Sequence, residues 1–591
     1  TIGTASVRVG DHPADLAFSR HGKLLYVAVR KPSSVAVIDA ASRKILTTID
    51  VGLHPSALAF SDDGSKLFVA ESDDDSLGVI DTSSSRVIKH IALGLQHGRL
   101  QGYGASPNAV LVHGDDIFIS LGAENAVALI RGDRVVSRIP AGWYPTGVAI
   151  GKDGTLYAVN GKGENAPPNP QFNPLARHSE GYVGMLTVGS LRVVPREAYE
   201  RSDAQTQTVL ANSAPQWTPA PASRTVLRAG GPIQHVIYII KENRSYDQVL
   251  GDIAGANGDP KLAGFGRSIT PNQHAIAERF GVFDNAYTDA QVSANGHNWT
   301  DAGFANDYVE RMWPPNYGDR RKLYDFQSGG DPDVPHDGYL WDAAKRAHVT
   351  YRDYGEDIDF ANGLNIGLNT HPALAGHFDP RFVGWDLRTS DKARFDEWAR
   401  EFAAFVAHHD LPQLEIVYFP NDHTAGTHPG MPTPQAYIAV NDWMVGDLVE
   451  TVSHSPYWKS TAIFVLEDDA QNGPDHLSDQ RSTFYIASPY ARGGVQHGHY
   501  STISFVHTIE LMLGLPPLSI YDTTARPLYD AFATTAVNAR PFTAIKPVVD
   551  MNATNTTSAY GAAVSAKLDF SHPDAVDPRV LNDIIVHAAK R

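Results

Sequence analysis

The chain of 591 residues contains no cysteine, which excludes disulfides and thiolate metal sites. Its basic residues are outnumbered, 49 Lys and Arg against 66 Asp and Glu, for a formal charge of −17. That balance disfavours a nucleic-acid partner, because phosphate backbones are held by clustered Lys and Arg. No run is apolar for long enough to cross a membrane as a helix. The lack of cysteine is compatible with a periplasmic or secreted location. The sequence starts at Thr1 rather than Met, so a processed or truncated chain is expected, in which a removed signal peptide would not be visible. At this length one ordinary core does not suffice, and two or more domains are expected.

What is present first is a repeat. Val9-Gly10-Asp11-His12-Pro13-Ala14-Asp15-Leu16-Ala17-Phe18 returns 42 residues later as Val51-Gly52-Leu53-His54-Pro55-Ser56-Ala57-Leu58-Ala59-Phe60. Each copy is followed by a Gly-containing turn and an apolar strand, Leu25–Val29 and then Leu67–Ala70. Val35–Ile38 and Leu77–Ile80 come next, each closed by an Asp. A third copy starts at Ser106-Pro107 and contains Ile117-Phe118-Ile119; a fourth starts at Tyr144-Pro145 and contains Leu156-Tyr157-Ala158-Val159. About 40 residues and four short strands per unit is the signature of a β-propeller. The units resemble the YVTN family of bacterial surface propellers. Tyr182–Val194 offers two more strands and a fifth copy, and five blades could close; the alternative is that N-terminal blades are missing. The repeats are assigned to residues 1–202.

Residues 163–180, rich in Pro and Asn, read as a loop leaving the last blade. Residues 203–231 show little periodicity and read as a linker. From about Pro232, strands alternate with helical patterns, so residues 232–591 are expected to form an α/β domain with a mainly parallel sheet flanked by helices. Strand candidates include Val349–Tyr354 and Phe484–Ala487. Phe395, Trp398, Phe402 and Phe405 mark an amphipathic helix capped by Ser390. Thr433-Pro434 opens another helix that runs to Val452.

Three apolar runs in this half end in metal-binding side chains. His235–Ile240 leads into Lys241-Glu242-Asn243, Glu415–Phe419 into Pro420-Asn421-Asp422-His423, and Ile463–Leu466 into Glu467-Asp468-Asp469. Such runs read as buried parallel strands, and open α/β sheets bind ligands outside the carboxyl ends of their strands. Three strands delivering acids to one edge point to an oxygen-rich metal site. Adjacent acids repel one another, and grouping them is costly unless a cation compensates. Ser293, at the start of a helix in Val292-Ser293-Ala294-Asn295-Gly296-His297, reads either as a simple N-cap or as a nucleophile favoured by the helix dipole and a metal. Thr288 is the alternative nucleophile.

Lys241-Glu242-Asn243-Arg244-Ser245-Tyr246-Asp247, the Ser293 string, Pro420–Thr427 and Glu467–His476 together resemble the bacterial phosphoesterase family of acid phosphatases and phospholipases C, within the alkaline phosphatase superfamily. The resemblance covers roughly residues 232–591, and the run 545–591 fits the family's packed C-terminal tail. It implies an alkaline phosphatase-like fold, with a divalent metal between Glu242, Asn243, Ser293, Asp468 and Asp469, and Ser293 forming a phosphoseryl enzyme that water hydrolyses. It implies that Asn295 and His297 contact phosphoryl oxygens. Asp422, His423 or His476 would hold a second metal or protonate the leaving group. Glu467 is expected to be structural. His428, His497 and His499 depart from the pattern and leave substrate choice open. A mostly oxygen ligand set favours Mg, Mn or Ca, whereas His423 and His476 as ligands would draw it towards Zn or Fe.

The reading is thus a multidomain protein, an N-terminal all-β propeller followed by an α/β phosphoesterase domain, acting on a small phosphate ester. A phosphomonoesterase is the first expectation and a phospholipase C or other phosphodiesterase the alternative. The propeller is expected to bind a surface partner or to cover the active site. A reading from a different class makes the propeller the working part and the α/β domain an inactive support.

Overall fold

The computed structural model describes residues 6–95, 102–170, 182–200, 202–214, 225–317, 331–358, 360–361, 364–365, 371–470, 473–571 and 575–589. Within the N-terminal region the repeat becomes a row of antiparallel sheets. The first contains β1 (Asp11–Phe18), β2 (Leu24–Lys31), β3 (Ser34–Asp39) and β4 (Ile45–Asp50). The second contains β5 (Pro55–Phe60), β6 (Lys66–Glu71), β7 (Ser76–Asp81) and β8 (Arg86–Ala92). The third contains β9 (Pro107–His113), β10 (Asp116–Leu121), β11 (Ala126–Arg131) and β12 (Arg134–Pro140). The fourth has three strands, β13 (Trp143–Ile150), β14 (Leu156–Gly163) and β15 (Ser190–Val194).

Successive sheets meet through their first strands, β1 against β5, β5 against β9 and β9 against β13. Apolar side chains between neighbouring sheets form separate clusters, such as Tyr26, Val37, Leu58 and Val69 between the first two. Among the described residues no strand pairing joins the fourth sheet back to the first. The two ends of the row are correspondingly apolar and exposed. Leu16 is 58 % exposed, whereas its repeat mate Leu58 is 8 % exposed; Val193 is 51 % exposed, whereas Val37, paired to the same position of its own sheet, is 2 % exposed.

Two expectations change here. Tyr182–Val194 is not a fifth unit: Val183–Leu186 is a short helix, and β15 completes the fourth sheet. The segment read as a linker contains helix α1 (Ser202–Ser213), which packs on β12, with Arg138 N donating to Thr206 Oγ1 at 3.0 Å. Polar sequence misled because this helix buries little, and Val209 is one of its few buried apolar residues. Residues 215–224 of that segment and 171–181 of the preceding loop lie outside the described residues.

The second region is built on one sheet of seven strands. In chain order they are β16 (His235–Lys241), β17 (Val282–Phe283), β18 (Tyr351–Tyr354), β19 (Leu414–Phe419), β20 (Thr461–Glu467), β21 (Phe484–Ala487) and β22 (Val495–Gln496). Across the sheet the order is β18-β19-β16-β20-β21-β17-β22. The first four are parallel, and β21 runs antiparallel to β20, so the sheet is mixed rather than simply parallel. Buried residues of β16, β19 and β20 form the main core with the flanking helices. Those helices include α2 (Pro271–Phe280), α3 (Ser293–Ala302), α4 (Asp307–Tyr317), α5 (Asp391–His408), α6 (Pro434–Ser453) and α7 (Thr502–Leu513). Ser390 and Thr433 cap α5 and α6 as their sequences predict, accepting from Ala393 N and Ala436 N.

Helix α4 and the residue before it reach all four N-terminal sheets. Asp307 accepts from Arg30 at 2.6 Å and from the Tyr144 hydroxyl at 3.3 Å. Asn306 donates to Asp73 at 2.8 Å, and Arg311 to the Asn108 carbonyl at 3.2 Å. Tyr308 packs edge-on to His12, and Glu310 pairs with Lys162 at 2.8 Å.

Candidate active site

The acids arrive where the sheet register puts them. Lys241 is paired with Glu467 on one side and Phe419 on the other, so Glu242 and Asp468 leave their strands side by side. Asn243 follows in the left-handed region, at φ +49°, a conformation that Asn tolerates better than most residues. The turn aims its backbone N–H at Asp468 Oδ1, 3.4 Å away.

Ser293 is the first residue of α3, and the N-cap is Val292. Its hydroxyl therefore has other work than capping. It donates to Asp469 Oδ2 at 2.9 Å, receives Asn243 Nδ2 at 2.7 Å, and lies 3.5 Å from Glu242 Oε2. The second amide hydrogen of Asn243 goes to Asp469 Oδ2 at 3.1 Å. Gly296 brings the helix this close: a Cβ there would sit 2.9 Å from the Asp468 carbonyl oxygen and 3.0 Å from its Oδ2.

One turn on, His297 sits between two sets of acids. Its Nε2 is 3.2 Å from Glu242 Oε1 and 3.7 Å from Asp468 Oδ2, and its Nδ1 is hydrogen-bonded to Glu356. Burial opposes the imidazolium, but the charge of Glu356 and the bonds to Glu242 and Glu356 outweigh it and raise the pKa well above the usual histidine range. Burial likewise opposes ionisation of Glu242; the His297 bond and charge, the charge of His423 and the Tyr418 hydroxyl hold it below the usual carboxylate range. Tyr418 donates to Glu242 Oε1 at 2.5 Å. Asp301, one further turn along α3, is pushed well up by burial and then by the charges of Glu356 and Asp357.

Donor atoms of Glu242, His297 and Asp468 all lie within 4.8 Å of one another, as do those of His297, Asp301 and Glu356. Glu242, Asp468 and Asp469 are all buried. Buried carboxylates crowded around a single imidazole suit a hard divalent cation with one nitrogen ligand. Asn243 presents its amide nitrogen to Ser293.

The other predicted residues are each held by partners of their own. Asp422 is engaged by Lys241, with Nζ to Oδ2 at 2.7 Å, while its Oδ1 accepts from Glu242 N at 3.2 Å. Lys241 also holds Glu467 at 2.6 Å, and Arg244 clamps the carbonyls of Asp422 and His423. Glu467 is thus structural; burial, then the charge of Asp422, pushes its carboxyl up to about 8 against the pull of Lys241. His423 binds the Thr424 carbonyl through Nδ1 at 3.0 Å and meets the Trp385 ring edge-on.

Asn295 is occupied in the first turn of α3: its Oδ1 accepts from Gln291 N and Val292 N at 3.3 and 3.2 Å. His476 is drawn into a separate network, at 2.5 Å from Asp247, which Arg481 joins to Asp475. Gln471 and Asn472 of the acid motif lie outside the described residues. Thr288 donates to the carbonyls of Ala290 and Gln480. His497 pairs with Asp284 at 2.9 Å, and His428 binds the Pro429 carbonyl. His499 stacks on Tyr287 at the wall of a cavity of about 1390 Å³, which neither Ser293 nor the clustered acids line.

Sequence reasoning passed over Lys241, Asp301, Glu356 and Tyr418. The signals were there. His297 and Asp301 are four residues apart on one helix face, and Gly355-Glu356-Asp357 closes β18 as the other acid groups close their strands.

No family model matches the chain. It is similar to the non-hemolytic phospholipase C of Pseudomonas aeruginosa, 23 % identical over 316 residues, which are 42 % of this chain and 43 % of that protein. The chain thus spans less than half the length of the curated relative it matches. Solved structures overlap only loosely. Kuenenia stuttgartiensis hydrazine synthase has a TM-score of 0.23 at 25 % identity, over 27 % of this chain and 45 % of that one. The virginiamycin B lyase of Staphylococcus aureus has a TM-score of 0.22 at 19 % identity, over 27 % of this chain and 50 % of that one.

Proposed function

We propose that residues 232–591 are a metal-dependent phosphoesterase that hydrolyses phosphate monoesters through a phosphoserine on Ser293. The observation that carries this reading is the seat of the Ser293 hydroxyl, at the positive end of α3, donating to Asp469 at 2.9 Å and receiving Asn243 at 2.7 Å. In the first step the Oγ proton passes to Asp469 Oδ2, the Oγ–P bond forms, and the P–O bond to the alcohol breaks on the opposite side. The departing oxygen takes a proton from His423, on the turn that follows β19. Water then attacks phosphorus and gives a proton back to His423, the Oγ–P bond breaks to release phosphate, and Ser293 Oγ recovers its proton from Asp469 Oδ2. A divalent cation held by Glu242, His297, Asp468 and Asp469 would supply positive charge to the phosphoryl oxygens and favour the serine alkoxide. Asn243 remains a donor to Oγ throughout.

The similarity to a phospholipase C favours a second reading, cleavage of phosphodiesters such as lipid headgroup esters, by the same nucleophile. Rates on aryl monoesters, aryl diesters and phosphocholine lipids separate the two. Ser293→Ala should lose nearly all turnover while keeping its fold and bound metal, and Thr288→Ala should keep most of it. Rapid quenching should trap phosphate on the peptide that contains Ser293. Phosphate on Thr288, or normal turnover by Ser293→Ala, would overturn the proposal.

A further inference from the structure

The N-terminal sheets are wired to the backbone that presents Ser293. Glu310, on α4, is buried, and the Lys162 ammonium of β14 lies at its carboxylate, at 2.8 Å. The same carboxylate accepts from Asn295 Nδ2 at 3.3 and 3.5 Å and from Trp313 Nε1 at 3.1 Å. Asn295 is fully buried, and all of its amide is used. Its Nδ2 also donates to Gln291 Oε1 at 3.2 Å, and its Oδ1 accepts the N–H groups of Gln291 and Val292, the two residues that enter Ser293. From the end of α4, the Tyr317 hydroxyl accepts from Ala294 N, just past Ser293, at 3.3 Å. Three backbone N–H groups bracketing the nucleophile are therefore fixed by side chains that α4 carries or orients.

We propose that Lys162 and Glu310 are positioning residues for Ser293, so that the N-terminal sheets serve the chemistry of the second region. The proposal rests on Ser293 being the nucleophile. Among the described residues Lys162 is the one cation paired with this carboxylate, and without it the carboxylate takes up a proton or recruits other donors. Its bonds from Asn295 then lose their charge-assisted strength. Asn295 is freed to leave the rotamer that holds residues 291 and 292, and the first turn of α3 loosens. Displacement of a reacting group by about 1 Å can cost on the order of 100-fold in rate. A lysine that merely glued two regions together would alter melting, but neither local exchange at residues 291–292 nor turnover.

The test uses the full chain with Lys162→Met, Glu310→Gln and Lys162→Arg. Hydrogen exchange of the Gln291 and Val292 amides should accelerate at least about 10-fold in the first two variants, with β16 and β20 unchanged. Turnover of an aryl phosphate should fall about 10- to 100-fold, with KM within about twofold. Lys162→Arg should restore both. Unchanged exchange at residues 291–292, or equal acceleration in β16 and β20, would overturn the coupling. Altered exchange with full turnover would overturn the catalytic role. The exchange measurement needs no catalysis: a wild-type protein without hydrolysis refutes the proposed function, while exchange still decides the coupling.

Discussion

Replacing Lys241 with Met should unsettle the edge of the sheet from which Glu242 and Asp468 emerge. Lys241 is the last residue of the central strand, and its ammonium is buried between Glu467 at 2.6 Å and Asp422 at 2.7 Å. Burial alone would lower its pKa, but the two carboxylates outweigh burial and hold it above the ordinary lysine range. Without the ammonium, two buried acids face each other, and the donors of nearby Arg244 are spent on the carbonyls of Asp422 and His423. Removing one member of a buried ion pair costs about 3–5 kcal/mol. For an α/β unit spanning roughly residues 232–591, unfolding entropy per residue converts that into a Tm lowered by about 4–7 °C. Calorimetry of the full chain measures it. The double variant Lys241→Met/Glu467→Gln, which removes one of the stranded charges, should recover about half of the loss. Turnover should fall with stability, because Asp422 also holds the backbone N–H of Glu242. A Tm within about 1 °C of wild type, or a double variant no better than the single one, would refute this account of the edge.

Asp468→Asn should lower both bound divalent metal and turnover, with metal affinity down at least about 100-fold by elemental analysis after dialysis; full activity of a chelated wild-type sample would contradict it. Glu415, inside β19, binds Trp398 Nε1 at 3.0 Å, and burial pushes its carboxyl from 4.5 up to about 8. Between those values the folded state keeps a proton that the unfolded state releases, so stability falls as pH rises through the window. Glu415→Gln should match wild type below about pH 4.5 and gain a Tm advantage that grows to about pH 8, on the order of 3–5 kcal/mol at most. A difference between the two proteins that stays flat with pH would show that Glu415 does not titrate there.

The parts of this protein that sequence reveals are those where burial writes a period. β19 and β20 are buried along their whole length and β16 at every residue after His235, so each reads as a mostly apolar run, and its end stands out when acids follow. The sheet repeat was legible for a related reason: the same turn and the same alternating strand recur at a fixed spacing. The antiparallel course of β21 was not legible, because a four-residue apolar run carries no direction. The role of Asn295 escaped for a different reason. Asn near a phosphoryl site and Asn in the first turn of a helix look identical in sequence, and only the neighbouring Glu310, fifteen residues on, decides between them. His476 followed the acid motif closely in sequence, yet Arg481 and Asp247 draw its loop to another network.

Alternation along the strands explains why a group of acids this dense divides into two clusters of different character. Successive strand residues face opposite sides of a sheet. Lys241 and Glu467 are register partners and share one face, to which Asp422 also turns its carboxylate. There the acids meet a buried ammonium, and the cluster fastens the strand ends together. Ile240, Tyr418 and Leu466 are register partners on the other face. Glu242 and Asp468, two residues beyond Ile240 and Leu466, continue that face, and Tyr418 reaches Glu242 from it. On this side the acids meet the His297 ring, itself shared with Glu356, so carboxylates are left in excess beside Ser293. A single Lys on the central strand thus neutralises one face, while the other keeps a group of carboxylates of the kind that suits a divalent cation. A one-residue slip of β16 against its neighbours would exchange the two sets. The identity of residue 241, rather than the count of acids, is therefore what sorts carboxylates that face an ammonium from those that face His297 and Ser293 in this sheet.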